Sequence, residues 1–197
     1  MFWLKKQQEI NVQDVGRFLK NLVIDVKMQR LSNFNYKVFF SNFTIIVLIF
    51  AIDRTSKMYL LNLQESGTEI DFYIFPFLNL YLIWNTGVGF GLFSSEANFY
   101  YNLITILIVL INIIILIMIV KSQDYKLFFL LMILGGSFGN LFDRLYYQAV
   151  PDFIDFHYGN FHWFVFNVAD IFITIGIICL IIAEFILNNK KPNNEKI

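Results

Sequence analysis

Residues 135–170 read GGSFGNLFDRLYYQAVPDFIDFHYGNFHWFVFNVAD. The stretch begins inside one apolar run and ends where another starts. Between them it holds four of the chain's fifteen carboxylates, Asp143, Asp152, Asp155 and Asp170. An ionisable group at the end of a membrane segment is expensive to desolvate, so one kept there is a functional candidate by default. The pattern predicts two membrane helices joined by an acid-bearing connection.

The rest of the chain fits that reading. It has 197 residues, 57% hydrophobic and 19% aromatic, with a mean hydropathy of +0.60. Charged residues make up 15%, against about a quarter in a soluble domain. The composition is that of a helical integral membrane protein. The single cysteine, Cys179, lies in an apolar run and excludes an internal disulfide or a thiolate metal cluster. A net charge of zero does not suggest a general nucleic-acid-binding surface. The opening residues alternate apolar with charged ones, so no cleavable leader is expected there.

Four spans are predicted, at about 38–63, 99–120, 127–142 and 167–187, with loops at 64–97 and 143–166. A basic arm, 1–37, carries seven Lys/Arg against three Asp/Glu. Part of it has the spacing of an amphipathic surface helix; a poorly ordered tail is the alternative reading. A basic tail, 188–197, follows the last span. The first span meets Asp53, Arg54 and Lys57 near its end; Asp53 and Lys57 are i,i+4 and can pair. The loop 64–97 has no Lys or Arg, and its stretch DFYIFPFLNLYLIW predicts short strands at the membrane interface. The glycines of Asn85-Thr86-Gly87-Val88-Gly89-Phe90-Gly91 predict a tight or closely approached backbone. The third span has only 16 residues between Lys126 and Asp143, so Asp143 and Arg144 are expected just inside the membrane surface. The arm, the 121–126 turn and the tail hold 12 of the 15 Lys/Arg. The positive-inside rule then sets both termini in the cytoplasm. Four crossings bring Asn85, Asp143, Asp152, Asp155 and Asp170 to the opposite side.

Two carboxyl groups held close share a proton and can serve as general base and general acid. Asp170 opens a helix, and a loop with both ends on one side lets Asp152 reach it. Asn140 and Arg144 are i,i+4 on one helix face; Arg144 has the fork geometry to hold a carboxylate or a peptide carbonyl. Asn167 is placed to orient Asp170 or to cap its helix. The string Gly135-Gly136-Ser137-Phe138-Gly139 matches a hydrolase serine motif but lacks its strand–turn–helix setting, and close helix packing is the expectation. His157 and His162 would fall on different faces of a helix, so an aromatic interface is expected rather than a metal site.

Four blocks in order carry a resemblance to a known family: Asn85 to Gly91, Gly135 to Arg144, Val150-Pro151-Asp152-Phe153-Ile154-Asp155-Phe156, and Phe166-Asn167-Val168-Ala169-Asp170. Asp53 and Lys57 fit as well. The chain resembles lipoprotein signal peptidase, the type II signal peptidase of bacteria, over about residues 38–187. The resemblance implies an all-α membrane protein with four transmembrane helices and a small β-structured extracytoplasmic cradle between helices one and two. It implies an aspartyl endopeptidase of the bacterial cytoplasmic membrane that cuts prolipoprotein signal peptides just before a diacylglyceryl-modified cysteine. The catalytic pair would be Asp152 and Asp170. Residue types alone leave Asp152 and Asp155 as equal candidates, and the resemblance selects Asp152, with Asp155 supporting. Asn85, Gly87, Asn140, Asp143, Arg144 and Asn167 would line the site or hold substrate. No metal or cofactor is implied, and the cyclic peptide globomycin would inhibit.

Two departures stand out: Val88-Gly89 replaces the usual pair of alanines, and Pro151 replaces a valine and removes a backbone donor beside Asp152. The competing readings are an ion- or proton-coupled transporter using the same acids and a non-catalytic scaffold that binds lipoproteins through the outer aromatic surface. Acids gathered at one face, and the lack of an internal repeat, weigh against transport.

Overall fold

A computed structural model describes residues 35–87, 98–122, 124–159 and 161–188. Most of the basic arm and tail, and the segment from Val88 to Gly91, lie outside them. The chain divides into two compact units, Met1–Phe40 and Ser41–Ile197; of the first, only the opening of the first helix is described. The elements run α1 (Tyr36–Glu65), β1 (Asp71–Phe75), β2 (Leu78–Asn85), α2 (Asn98–Lys121), α3 (Lys126–Tyr147), β3 (Val150–Tyr158), β4 (Phe161–Phe166) and α4 (Val168–Asn188).

All four helices are long and apolar enough to cross a membrane. They are not equivalent. Half of the apolar window of α3 is buried inside the protein, against 11–17% in the others. That makes α3 the central helix, packed mainly on α4 and also on α2, while the other three turn large apolar side chains outward. Such side chains are comfortable against lipid tails. The helix core gathers Ile115, Leu130, Ile133 and Leu134, with Ile46, Ile173 and Leu180 around them.

Small residues set how closely α3 is approached. A Cβ on Gly136 would lie 2.6 Å from the carbonyl oxygen of Ala169 at the start of α4, and one on Gly139 would collide with the Asp53 carboxylate of α1. The Gly135–Gly139 string is therefore a packing surface, as helix contacts in membranes favour. Gly136→Ala must push backbone against backbone. It is expected to destabilise the protein by about 1–3 kcal/mol, seen as a lower melting temperature in detergent.

The helix α3 continues past Phe142 to Tyr147 and stops at Gln148, whose φ of 58° turns the chain into β3. Asp143 and Arg144 therefore sit within its last turns rather than beyond its end. A four-stranded antiparallel sheet, in the order β1-β2-β3-β4, forms the non-helical part. The expected strands between the first two helices are present as β1 and β2. The sheet is larger than expected, because the connection between α3 and α4 supplies β3 and β4. Pro151 pairs with Trp84 where β3 has a neighbour strand on one side only, the kind of edge position to which sheets confine proline. Phe153 from β3 packs with Leu60 of α1 and Ile70, fastening sheet to helices.

Candidate active site

The C-terminal half of α1, the ends of β2 and α3, the start of β3 and the start of α4 meet in one buried polar network. Asp53, Lys57, Asp143, Asp152 and Asn167 are fully buried or nearly so, and Asn85 and Arg144 are buried too. Buried groups of this kind must be partnered.

The first half is a set of two acids and two bases. Lys57 donates to Asp53 (2.8 Å), Asp143 (2.7 Å) and the Oδ1 of Asn140 (2.9 Å), using all three of its ammonium protons. Arg54 donates to the other oxygen of Asp143 and stacks over Phe142 at 4.8 Å. The second oxygen of Asp53 accepts the backbone N–H of Ala169 at 2.9 Å. That satisfies one of the orphan donors in the first turn of α4. The formal charges cancel, which buried ions require.

The second half is the carboxyl pair. Asn167 is the N-cap of α4, and Asp170 sits three residues on. Asp170 N–H donates to Asn167 Oδ1, and Asn167 N–H donates to Asp170 Oδ2, both at 3.1 Å. This is a capping box built from Asn and Asp. Asn167 Nδ2 then donates to Asp152 at 2.6 Å, linking the two acids. Asn85 Nδ2 reaches the other oxygen of Asp152 at 2.9 Å, and Asn140 Nδ2 reaches Asp170 at 2.8 Å.

The three amides have no choice of direction. Each Oδ1 is taken by a group that can only donate: the N–H of Gly87 for Asn85, Lys57 for Asn140, the N–H of Asp170 for Asn167. Each NH2 must therefore face a carboxylate. Burial pushes the Asp152 carboxyl up to about 6, and the neighbouring Asp170 adds to this; the Asn85 and Asn167 amides and Lys57 pull the other way. The proton is thus held on Asp152 well above the ordinary carboxylate range.

Arg144 closes one side. It donates to the Gly87 carbonyl, and its own carbonyl accepts the Tyr101 hydroxyl at 2.6 Å. Its Nε and Nη1 are buried with no partner among the described residues. Buried donors of this kind are costly to leave without an acceptor.

Of the candidates from the sequence, Asp53, Lys57, Asn85, Gly87, Asn140, Asp143, Arg144, Asp152, Asn167 and Asp170 come together. Asp155 does not. Side chains alternate along a strand, so Asp155 faces away from Asp152 and meets His162 instead, at 2.8 Å. Two contributors went unforeseen as site residues. Arg54 carried a signal, a second cation at the end of an apolar run; Tyr101 is one of ten tyrosines and carried none.

The chain is similar to known proteins. The family described as signal peptidase (SPase) II matches residues 45–186. A lipoprotein signal peptidase of Pelagibacter ubique (strain HTCC1062) is 54% identical over 165 residues, covering 84% of this chain and 99% of that one. One from Anaplasma marginale (strain Florida) is 37% identical over 150 residues, covering 74% and 84%. A solved bacterial membrane enzyme superposes with a TM-score of 0.59 at 25% identity, over 80% of this chain and 94% of its own. Another gives 0.55 at 28%, over 73% and 91%.

Proposed function

The chain belongs to the signal peptidase II family, a peptidase family that removes signal peptides from prolipoproteins, and from that premise we propose that Asp152 and Asp170 are its catalytic pair. The observation that carries this is the sharing of Asn167 between two carboxyl groups, each met by an amide whose orientation is fixed. One acid, ionised, takes a proton from water as it attacks the scissile carbonyl; the other, protonated, gives its proton to the leaving amide nitrogen. One shared proton also balances the charge: the pair then carries one negative charge, opposite the one positive charge of Arg144.

The open Nε and Nη1 of Arg144 would bind a backbone carbonyl of the substrate. Arg144→Lys keeps the charge and loses the fork. It is expected to raise KM about tenfold, with a smaller fall in kcat, in steady-state cleavage assays.

The four apolar helices and the family make this a multi-pass protein of the bacterial inner membrane. We place both termini in the cytoplasm and the acid pair at the outer rim, within reach of a lipid-anchored peptide. The bond cut would precede a cysteine carrying diacylglyceryl, and globomycin would compete for the site. The test is purified protein with a precursor in lipidated and unlipidated forms, read by the mass of the released peptide. Cleavage before the modified cysteine, absent without the lipid and blocked by globomycin, is the expected result. Proton or ion flux in vesicles without any cleavage would overturn the assignment.

A further inference from the structure

The face of β3 turned away from Asp152 carries a second cluster, Asp155, His157 and His162. Asp155 and His157 are two apart on one strand and so share a face. His162 joins them because the β3–β4 pairing slips: Phe156 pairs with Phe164, but His157 pairs with His162. The extra residue in β4, Trp163, is a bulge, and a bulge re-aims the side chains beyond it. With regular pairing His162 would lie opposite Tyr158 and point to the other side. The sequence-based placing of the two histidines on separate faces assumed a helix; on the hairpin they stack with ring centroids 5.1 Å apart.

We propose that Asp155, His157 and His162 form a binding site for a divalent transition-metal ion of the zinc type. One donor atom from each residue lies within 4.8 Å of the other two. His162 Nδ1 is 2.8 Å from Asp155 Oδ2, and His157 Nδ1 is 3.7 Å from the same oxygen. Two donors on a tetrahedral ion with bonds of about 2.1 Å lie roughly 3.4 Å apart. The observed separations straddle that value, so small side-chain rotations bring all three into coordination.

A second observation points the same way. The His157 side chain is only 9% exposed, yet its Nδ1 has no hydrogen-bond partner among the described residues. A buried ring nitrogen left unpaired costs free energy, and this one is directed at a carboxylate that His162 already occupies. A cation between the three satisfies both rings and the acid together. The donor set of two imidazoles and one carboxylate suits Zn2+ and its neighbours, not Mg2+ or Ca2+. The half-exposed His162 leaves the fourth position open to water. Bound there, the ion fastens β4 to the strand that carries Asp152, without touching the acid pair.

The test is titration of the tag-free, full-length protein in detergent, after chelator treatment, with ZnCl2 by calorimetry and with Co2+ by visible absorption. One equivalent of Zn2+ at micromolar or tighter affinity, a tetrahedral Co2+ spectrum and a raised melting temperature are expected. His162→Ala, at an exposed position, should weaken binding by at least about tenfold with the fold retained. Mg2+ should not compete, and precursor cleavage should survive chelation. No binding, or binding unchanged in both His162→Ala and His157→Gln, would overturn the proposal, whatever the outcome of the cleavage assays.

Discussion

Asp152→Asn is expected to lose cleavage of a lipidated precursor by about 10³-fold or more while remaining folded, and to change how stability depends on pH. The two effects have one cause. Asp152 holds its proton up to about pH 6 in the folded protein, against an ordinary value of 3.8. The folded pKa is the higher one. Between these values the folded chain keeps a proton that the unfolded chain has lost, so stability falls as pH rises through that interval and is flat above it. Full expression of the shift is about 3 kcal/mol. The substituted amide cannot titrate, so this descent should be absent from melting curves of the variant between pH 4 and 7. That amide would also turn an N–H toward Asn85 or Asn167, at a cost of about 1–2 kcal/mol. The cost does not vary with pH, so the slope isolates the carboxyl. Equal slopes in variant and wild type, or wild-type turnover in the variant, would remove Asp152 from the role assigned to it. Asp170→Asn should abolish cleavage likewise, with a further loss of stability because Asp170 is also half of the capping box.

How much of this was legible beforehand depended on whether the signal was local. Apolar length announced the helices, and i,i+4 spacing announced the Asp53–Lys57 pair, because both are properties of one helix. Topological parity brought Asn85, Asp143, Asp152 and Asp170 to one side. What spacing could not give was partner choice across elements. Lys57 divides its protons among α1 and α3, and Asp53 reaches Ala169 on α4; neither contact has a sequence period. The β3–β4 hairpin was hidden for another reason. Its aromatic residues suit an interface in either conformation, and the slip at Trp163 that turns His162 toward Asp155 leaves no mark on composition. Choosing Asp152 over Asp155 rested on resemblance. The alternation of β3 puts the two acids on opposite faces, Asp152 on the side of Asn167 and Asp155 on that of His162.

Lys57→Met should cost about 3–5 kcal/mol of stability and reduce cleavage severely, although Lys57 is bonded to neither acid of the pair. Its removal leaves Asp53 and Asp143 buried with Arg54 as the one remaining cation of that set, an uncompensated charge of the kind low-dielectric interiors do not tolerate. It also frees Asn140. Among the described residues only the ammonium holds the Asn140 Oδ1, and that contact is what keeps its Nδ2 on Asp170; without it the amide can rotate and Asp170 loses an oriented donor. The two consequences separate in a double variant. Lys57→Met with Asp53→Asn removes one charge of each sign, so stability should recover well above that of the single variant, a favourable coupling of about 1–3 kcal/mol in a double-mutant cycle. Cleavage should not recover with it, because Asn140 is still unanchored. Recovery of both would mean that Lys57 matters only as a counter-charge, and strict additivity would mean that the four-charge set is not a unit.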